Sequence, residues 1–235
     1  MVRLLAILSV FVLSSTLLRA EELKAVLKKM NANYSSDKAY HVDAEYKLFK
    51  GHNSGIMVQK YNGFTENSSS GFYQKIDQSE KISTNKYFLH INHAERAMVF
   101  GLPVTRTFNG DVQKALKHAS TSVLKENESN FILTFTYSKL TNSEFSRVKM
   151  VISKDSYLLK SVDLFYSTFT DFSNDYSNKD LHQSHVRMTF SNYSKKLQLD
   201  SSYFKLRNFI VKKDNNMLST VGRCKGYELV DIRSN

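Results

Sequence analysis

Histidines are the residues of this sequence whose spacing first suggests chemistry. There are seven of them, namely His41, His52, His90, His93, His118, His182 and His185. His90 with His93 and His182 with His185 form two pairs with a separation of three residues, which some metal sites use. Strand side chains alternate between faces, so two strand residues three apart lie on opposite sides of a sheet and cannot share an ion. The pattern therefore predicts surface histidines and no metal site.

Other signatures of catalysis are missing from the sequence. It contains no nucleophile elbow, phosphate-binding Gly-rich loop, His-Glu-x-x-His segment or dinucleotide-binding turn. Asp43, Glu45 and Asp163 lie in predicted strands, at positions where we expect a solvated face. Because an enzyme needs several convergent groups, we predict a non-catalytic protein without a cofactor. The enzyme alternative requires a histidine and a carboxylate that converge in a cleft.

The N-terminus predicts export. Arg3 precedes an apolar run over residues 4–18, and the small residue Ala20 follows. A run of about 15 residues is short for a membrane span, which needs about 20, so we expect cleavage after Ala20. Cys224 is the single cysteine and cannot form an internal disulfide. These features predict a signal peptide over residues 1–20, export, and one mature domain over residues 21–235.

Four Asn-x-Ser/Thr sequences leave a secreted glycoprotein as an alternative context. They begin at Asn33, Asn67, Asn127 and Asn192. Chance can produce four in a chain so rich in Asn and Ser, and Asn192 lies inside a predicted strand. We therefore do not adopt the secreted-glycoprotein interpretation.

The chain is strongly basic. Removal of residues 1–20, which contain Arg3 and Arg19 and no acid, lowers the formal net charge from +11 to +9. The lysines are scattered, and the sequence has neither a basic arm nor an aromatic RNA-binding motif, so we expect no nucleic-acid partner. Two interpretations remain open: a solvated basic surface, or attraction to anionic lipid head groups.

The elements that must position any site are mainly strands. A helix is predicted over residues 21–34 because its apolar residues, including Leu23, Val26 and Met30, recur at helical spacing. Strands are predicted over residues 39–49, 54–62, 71–76, 80–84, 86–91, 96–100, 121–126, 130–137, 145–153 and 157–166, with one or two more in 217–231. Residues 101–122 predict an inserted helix from the spacing of Val112, Ala115, Leu116 and Ala119. Residues 168–184 read as a long loop.

Short turns rich in Asn, Gly and Ser join these strands, and no crossover helices separate them. We therefore predict a mainly β (α+β) fold, in which one strongly bent antiparallel sheet wraps round two helices as an incomplete β-barrel. A sandwich would leave the two helices without an obvious place.

A strand followed by an aromatic anchor stands near the C-terminal end. Val186, Met188 and Phe190 alternate with polar residues, and a polar turn then leads to Leu199-Asp200 and Phe204. This resembles the signature of LolA-like periplasmic carriers of outer-membrane lipoproteins, a strand reading I-x-F-x-N followed by L-D-x-x-x-F. The matching residues are Met188, Phe190, Asn192, Leu199, Asp200 and Phe204. The resemblance implies a LolA-like fold for residues 21–235, a location in the periplasm after signal cleavage, and a role in lipoprotein transport.

An incomplete barrel with only two short helices to fill it can keep an apolar hollow for a ligand. The predicted ligand-binding residues are those on dry strand faces: Val42, Ala44, Tyr46, Leu48, Val148, Met150, Ile152, Val162, Leu164, Met188 and Phe190. The resemblance to LolA-like carriers implies an acylated lipoprotein or a lipid as the partner, with inner- and outer-membrane proteins as further partners of a monomer. The alternative is that these residues are core, and that the protein is a non-catalytic envelope scaffold or protein-interaction module. A hollow filled by large aromatic residues favours the scaffold, and an open hollow rimmed by lysines favours the carrier.

Overall fold

The computed structural model describes residues 21–104, 118–138, 140, 143–173, 178–213 and 217–233. The predicted signal peptide lies outside these residues, as do Val112, Ala115 and Leu116 of the predicted second helix. Ala119, the last residue of that pattern, is described and packs against a hydrophobic core.

The predicted N-terminal helix is confirmed as α1, residues 21–33. Val26, Met30 and the adjoining Tyr34 are buried on one stripe, whereas Lys24 and Lys28 are exposed, as the 3.6-residue period requires. In the described part of the chain, no helix has the length and hydrophobicity of a membrane span.

Strands make up most of the described chain. They are β1 (Tyr40–Phe49), β2 (Met57–Ser68), β3 (Gly71–Ile76), β4 (Ser79–Ser83), β5 (Phe88–Asn92), β6 (Ala97–Gly101), β7 (Thr121–Glu126), β8 (Asn130–Thr136), β9 (Phe145–Ser153), β10 (Leu159–Tyr166), β11 (Thr170–Asp171), β12 (Leu181–His182), β13 (His185–Ser194), β14 (Ile210–Lys212), β15 (Leu218–Thr220) and β16 (Glu228–Asp231). Twelve of them form one sheet in the order β16-β6-β5-β4-β3-β2-β1-β13-β10-β9-β8-β7. Within the described residues the edge strands β16 and β7 do not pair, so the sheet is open. The predicted mainly β fold with one long, unclosed sheet is confirmed.

Three details differ from the sequence-based prediction. β16 pairs with β6 in parallel, so the sheet is not wholly antiparallel. β2 begins at Met57 and continues to Ser68, through a polar stretch that we expected to be a turn. This stretch stays in the sheet because its polar groups find partners: the Asn67 side-chain amide donates to the carbonyls of Ser36 and Lys38 at 3.0 and 2.7 Å. Finally, the predicted loop over residues 168–184 contains the short hairpin β11–β12.

The strand register places two hydrophobic cores on opposite faces of the sheet. Val42 on β1 lies opposite Thr65 on β2, whereas the next residue, Asp43, lies opposite Phe64. The face that carries Val42 is covered by α1, and we call it the helix face. On β2–β6 the face that carries Phe64 is covered by residues 195–213 and 217–233. We call these residues the strap, and the face that they cover the strap face.

Two buried carboxylates fasten the strap. Glu66 accepts hydrogen bonds from the backbone N–H groups of Gln198 and Leu199 at 2.7 and 3.1 Å. Glu80 accepts two hydrogen bonds from the Arg223 guanidinium at 2.9 and 2.6 Å. Both acids are at most 2% exposed, so these bonds satisfy charges that water does not reach.

The L-D-x-x-x-F motif forms the start of the strap. Leu199 and Phe204 pack against the core of the strap face. The Asp200 carboxylate accepts from the Ser202 N–H at 2.6 Å and caps the 3₁₀ helix Ser201–Phe204. In this motif Leu199 and Phe204 therefore anchor the strap to the core, and Asp200 caps its first 3₁₀ helix.

Candidate ligand-binding site on the helix face

The eleven predicted ligand-binding residues share one face of four neighbouring strands, β1, β13, β10 and β9. Ala44, Tyr46 and Leu48 lie opposite Phe190, Met188 and Val186. The pairing continues to β10 and β9, where Val162 and Leu164 lie opposite Met150 and Val148. Ile152 lies opposite Phe131 on the next strand, β8. The structure therefore brings together residues that are separated by up to 148 positions in the chain.

Burial divides this set into two groups. Seven residues are buried: Val42, Ala44, Val148, Met150, Ile152, Val162 and Phe190. Four are half-buried: Tyr46, Leu48, Leu164 and Met188. On the neighbouring strands β1, β13 and β10, the half-buried residues lie toward the same end of the sheet. The helix face thus has a covered end and a less covered end.

Helix α1 closes the covered end. The backbone N–H of Leu159 donates to the Tyr34 hydroxyl at 3.1 Å, and the Tyr193 hydroxyl donates to the Asn33 carbonyl at 3.1 Å. The Tyr34 ring meets the Tyr40 ring edge-on at 5.5 Å between centroids. Burial raises the pKa of Tyr34 far above its ordinary range. Here the hollow is filled by aromatic side chains.

An open groove of about 460 Å³ continues the helix face at its other end. Six aromatic or aliphatic residues line it, namely Tyr46, Leu48, Tyr61, Ile76, Tyr166 and Val186, together with six polar ones, Lys47, Gln59, Glu144, Thr168, Thr170 and Ser184. Burial raises the pKa of Tyr46 to about 12, as expected for a phenol in apolar surroundings. The groove can hold an apolar chain and offers hydroxyl groups to a polar end.

The sequence-based set contains only Tyr46 and Leu48 of this lining. Val186 could have been found, because it alternates with Met188 on β13, and Tyr166 continues the alternation of Val162 and Leu164 on β10. Tyr61 and Ile76 could not have been found from the sequence, because only the pairing of β2 with β1 and β3 brings them to this face.

Buried His185 and half-buried His52 hold the turn between β1 and β2. His185 lies between the rings of Phe49 and Phe165, at 4.6 and 5.0 Å between centroids, and its Nδ1 donates to the Gly51 carbonyl at 3.2 Å. Burial lowers the pKa of His185. His52 Nε2 donates to the Tyr166 carbonyl at 2.9 Å. These contacts join the β1–β2 turn to the end of β10.

The histidines have several different environments. His90 lies on β5 and is bonded to Ser79, whereas His93 lies in the turn after β5 and is bonded to Glu80. The prediction of a surface position was wrong for His41 and His185, which are 2% and 5% exposed.

Two polar residues of the sheet also differ from expectation. His41 is buried because its ring nitrogens lie 2.8 Å from Glu66 and 3.0 Å from Asp43. Asp163, expected on a solvated face, is 3% exposed and accepts from Arg187 Nε at 2.6 Å. Among the described residues, no three His, Cys, Asp or Glu side chains converge as metal ligands would.

Comparison with known proteins gives structural matches only. No protein-family model and no curated protein match the chain. A LolA superfamily protein from Nitrosomonas europaea is 8% identical, with a TM-score of 0.34 over 77% of this chain and 96% of that one. An uncharacterized conserved protein from Thermus thermophilus is 9% identical, with a TM-score of 0.45 over 89% of this chain and 99% of that one.

A third match is an outer membrane lipoprotein-sorting protein domain from Vibrio parahaemolyticus. It is 10% identical, with a TM-score of 0.35 over 78% of this chain and 96% of that one. The matches include the LolA-like class that the C-terminal motif resembles. At these identities and TM-scores they give no information about what the chain binds.

Proposed function

We propose that this protein binds an acyl chain of a lipid or lipoprotein in the groove at the less covered end of the helix face. The observation that carries the proposal is the loss of burial toward one end of β1, β13 and β10, where the apolar face continues into the groove. At that end the apolar side chains have accessible surface that a ligand could cover.

The dimensions and the lining of the groove suit this ligand. Its volume of about 460 Å³ lies within the range of small-molecule sites. Each buried CH₂ would contribute about 0.8 kcal/mol, so a long chain is held firmly but remains able to leave. The hydroxyl groups of Tyr61, Thr168 and Thr170 can meet the polar end of the ligand.

We further propose that the protein acts as a non-catalytic carrier in the periplasm. The signal sequence predicted over residues 1–20 supports export, and reversible holding of an acyl chain is what transfer toward the outer membrane requires. Inner- and outer-membrane proteins would then be donors and acceptors of the cargo.

A second candidate is a scaffold or protein-interaction module of the envelope. The filled end of the helix face favours it, because Met30 and Tyr34 occupy the space between α1 and the sheet. On this alternative the groove is a surface irregularity without a ligand.

The test uses the mature chain isolated from its own periplasm, examined by native mass spectrometry with lipid extraction and by titration with a fluorescent fatty acid. Val186→Glu places a carboxylate in the groove and should weaken fatty-acid binding about tenfold or more, because burial of that charge is unfavourable. Val151→Glu is the matched control: Val151 is also half-buried, but it lies on the opposite face of the sheet.

Equal unfolding midpoints of the two variants would show that any difference concerns binding. Co-purified phospholipid or acylated peptide that Val186→Glu loses and Val151→Glu keeps supports the carrier. A ligand-free protein that takes up no fatty acid contradicts it, and cross-linking for protein partners then tests the scaffold.

A further inference from the structure

A second groove lies on the other side of the sheet, between the strap and strands β5 and β6. Its volume is about 730 Å³. Its floor is apolar and consists of Tyr87, Phe100, Leu102, Phe204 and Leu206. The Tyr87 hydroxyl donates to the Phe204 carbonyl at 2.8 Å, and the rings of Tyr87 and Phe100 are in edge contact. Strap and sheet together therefore build this floor.

Four cations surround the apolar floor: Lys86, Lys205, Arg207 and Arg233. All four are exposed. Arg233 lies over the Phe100 ring at 4.2 Å and forms an ion pair with the Asp231 carboxylate. Within the described chain, Lys86, Lys205 and Arg207 form no ion pair at contact distance, so their charges face solvent.

The strap carries a large share of the positive charge of the protein. Residues 195–233 contain nine Lys and Arg against four Asp and Glu, a net charge of +5, whereas residues 21–235 have +9. Arg223 is already neutralised by the buried Glu80. Lys86, Lys205 and Arg207 at the groove are instead available to an external anion.

Leu102 adds an exposed apolar side chain to this surface. It is 61% exposed although it belongs to the floor of the groove. A large exposed aliphatic residue within a ring of lysines and arginines is the arrangement that an interfacial membrane-binding surface uses: apolar groups enter the head-group region while cations meet phosphates.

We propose that this basic groove docks the protein on a bilayer surface that contains anionic phospholipid. Complementary charge and the apolar floor select this partner, because a purely polar anion would leave the floor unused. The acyl-binding groove lies on the opposite face of the sheet, so docking and acyl binding are separate properties. The inference therefore does not depend on the proposed function.

The test measures cosedimentation of the mature protein with phosphatidylcholine vesicles, with and without phosphatidylglycerol. We expect binding only to the anionic vesicles, and weakening as salt rises, because the Debye length is about 30 Å at low and about 8 Å at physiological ionic strength. Lys205→Gln/Arg207→Gln removes two attractions and should weaken binding about 25-fold.

The matched control is Lys125→Gln/Lys160→Gln, which removes the same charge from two exposed positions on β7 and β10. Leu102→Asn tests the apolar contribution and should also weaken binding without changing the charge. Both charge variants should take up fluorescent fatty acid as the unmodified chain does, which separates this test from that of the acyl-binding groove.

Three results would overturn the inference: no binding to anionic vesicles, equal binding to both kinds of vesicle, or an equal loss in the two charge variants. The last result would mean that the total charge, and not the groove, attracts the protein. The first would leave an acidic protein surface as the partner to examine.

Discussion

Arg223→Gln should release the strap from the sheet at a cost that the structure allows us to calculate. Each terminal guanidinium nitrogen of Arg223 donates a hydrogen bond to the carboxylate of Glu80, which is 2% exposed. The guanidinium also lies 5.2 Å from the centre of the Tyr203 ring and 5.1 Å from that of the Phe209 ring. After the change, Glu80 keeps the hydrogen bonds with His93, at 2.8 Å, and with the Tyr73 hydroxyl, but it has lost its guanidinium partner.

Removal of one partner of a buried ion pair costs about 3–5 kcal/mol because the other charge stays desolvated. The Arg223 side chain is itself 37% exposed, and solvent screening of its charge favours the lower end of that range. We therefore expect a loss of about 3 kcal/mol in the free energy of unfolding, measured by urea denaturation. Limited proteolysis should cut first within residues 195–233, since the strap loses its attachment near Cys224.

Arg233→Gln is the control for the loss of a guanidinium. Its partner Asp231 is 32% exposed, and a pair of this kind contributes about 0–1 kcal/mol. If Arg223→Gln costs no more than Arg233→Gln, or if the strap is not cut earlier, the argument that Glu80 fastens the strap is refuted.

Two further predictions concern the sheet and the turn between β1 and β2. Gly63→Ala should prevent pairing of β2 with β3, because the added Cβ would lie 2.0 Å from the Lys75 carbonyl oxygen. Circular dichroism should show loss of the strand signal. A folded variant of normal stability would contradict this prediction. The pKa of His185 is lowered in the folded chain, so as the pH falls the unfolded chain binds a proton at this residue before the folded chain does. The stability that the neutral imidazole supports is therefore complete above about pH 6.5 and is lost as the pH falls below that value. Urea denaturation across this range should show a flatter acid dependence for His185→Phe, which keeps the stack with Phe49 and Phe165, and an unchanged dependence would show that other groups are responsible.

The sequence by itself determined the local structure. Alternation in β1 identifies Val42, Ala44, Tyr46 and Leu48 as one face, because successive strand side chains point to opposite sides whatever the neighbouring strand is. For the same reason the bounds of β3, β7 and β9 agree with their predictions. Helix α1 was predictable from the period of its apolar stripe.

Tertiary structure alone decided which faces meet and how far each is covered. The pairing of β1 with β13 joins residues more than a hundred positions apart, and no local pattern specifies that neighbour. The polar end of β2 is a strand because Asn67 and Glu66 find distant partners, and β16 joins β6 in parallel because the strap crosses the sheet. The eleven predicted residues divide into a covered and a less covered group because α1 packs at one end only. Periodicity reports the side to which a residue points, whereas burial depends on what the rest of the chain places there.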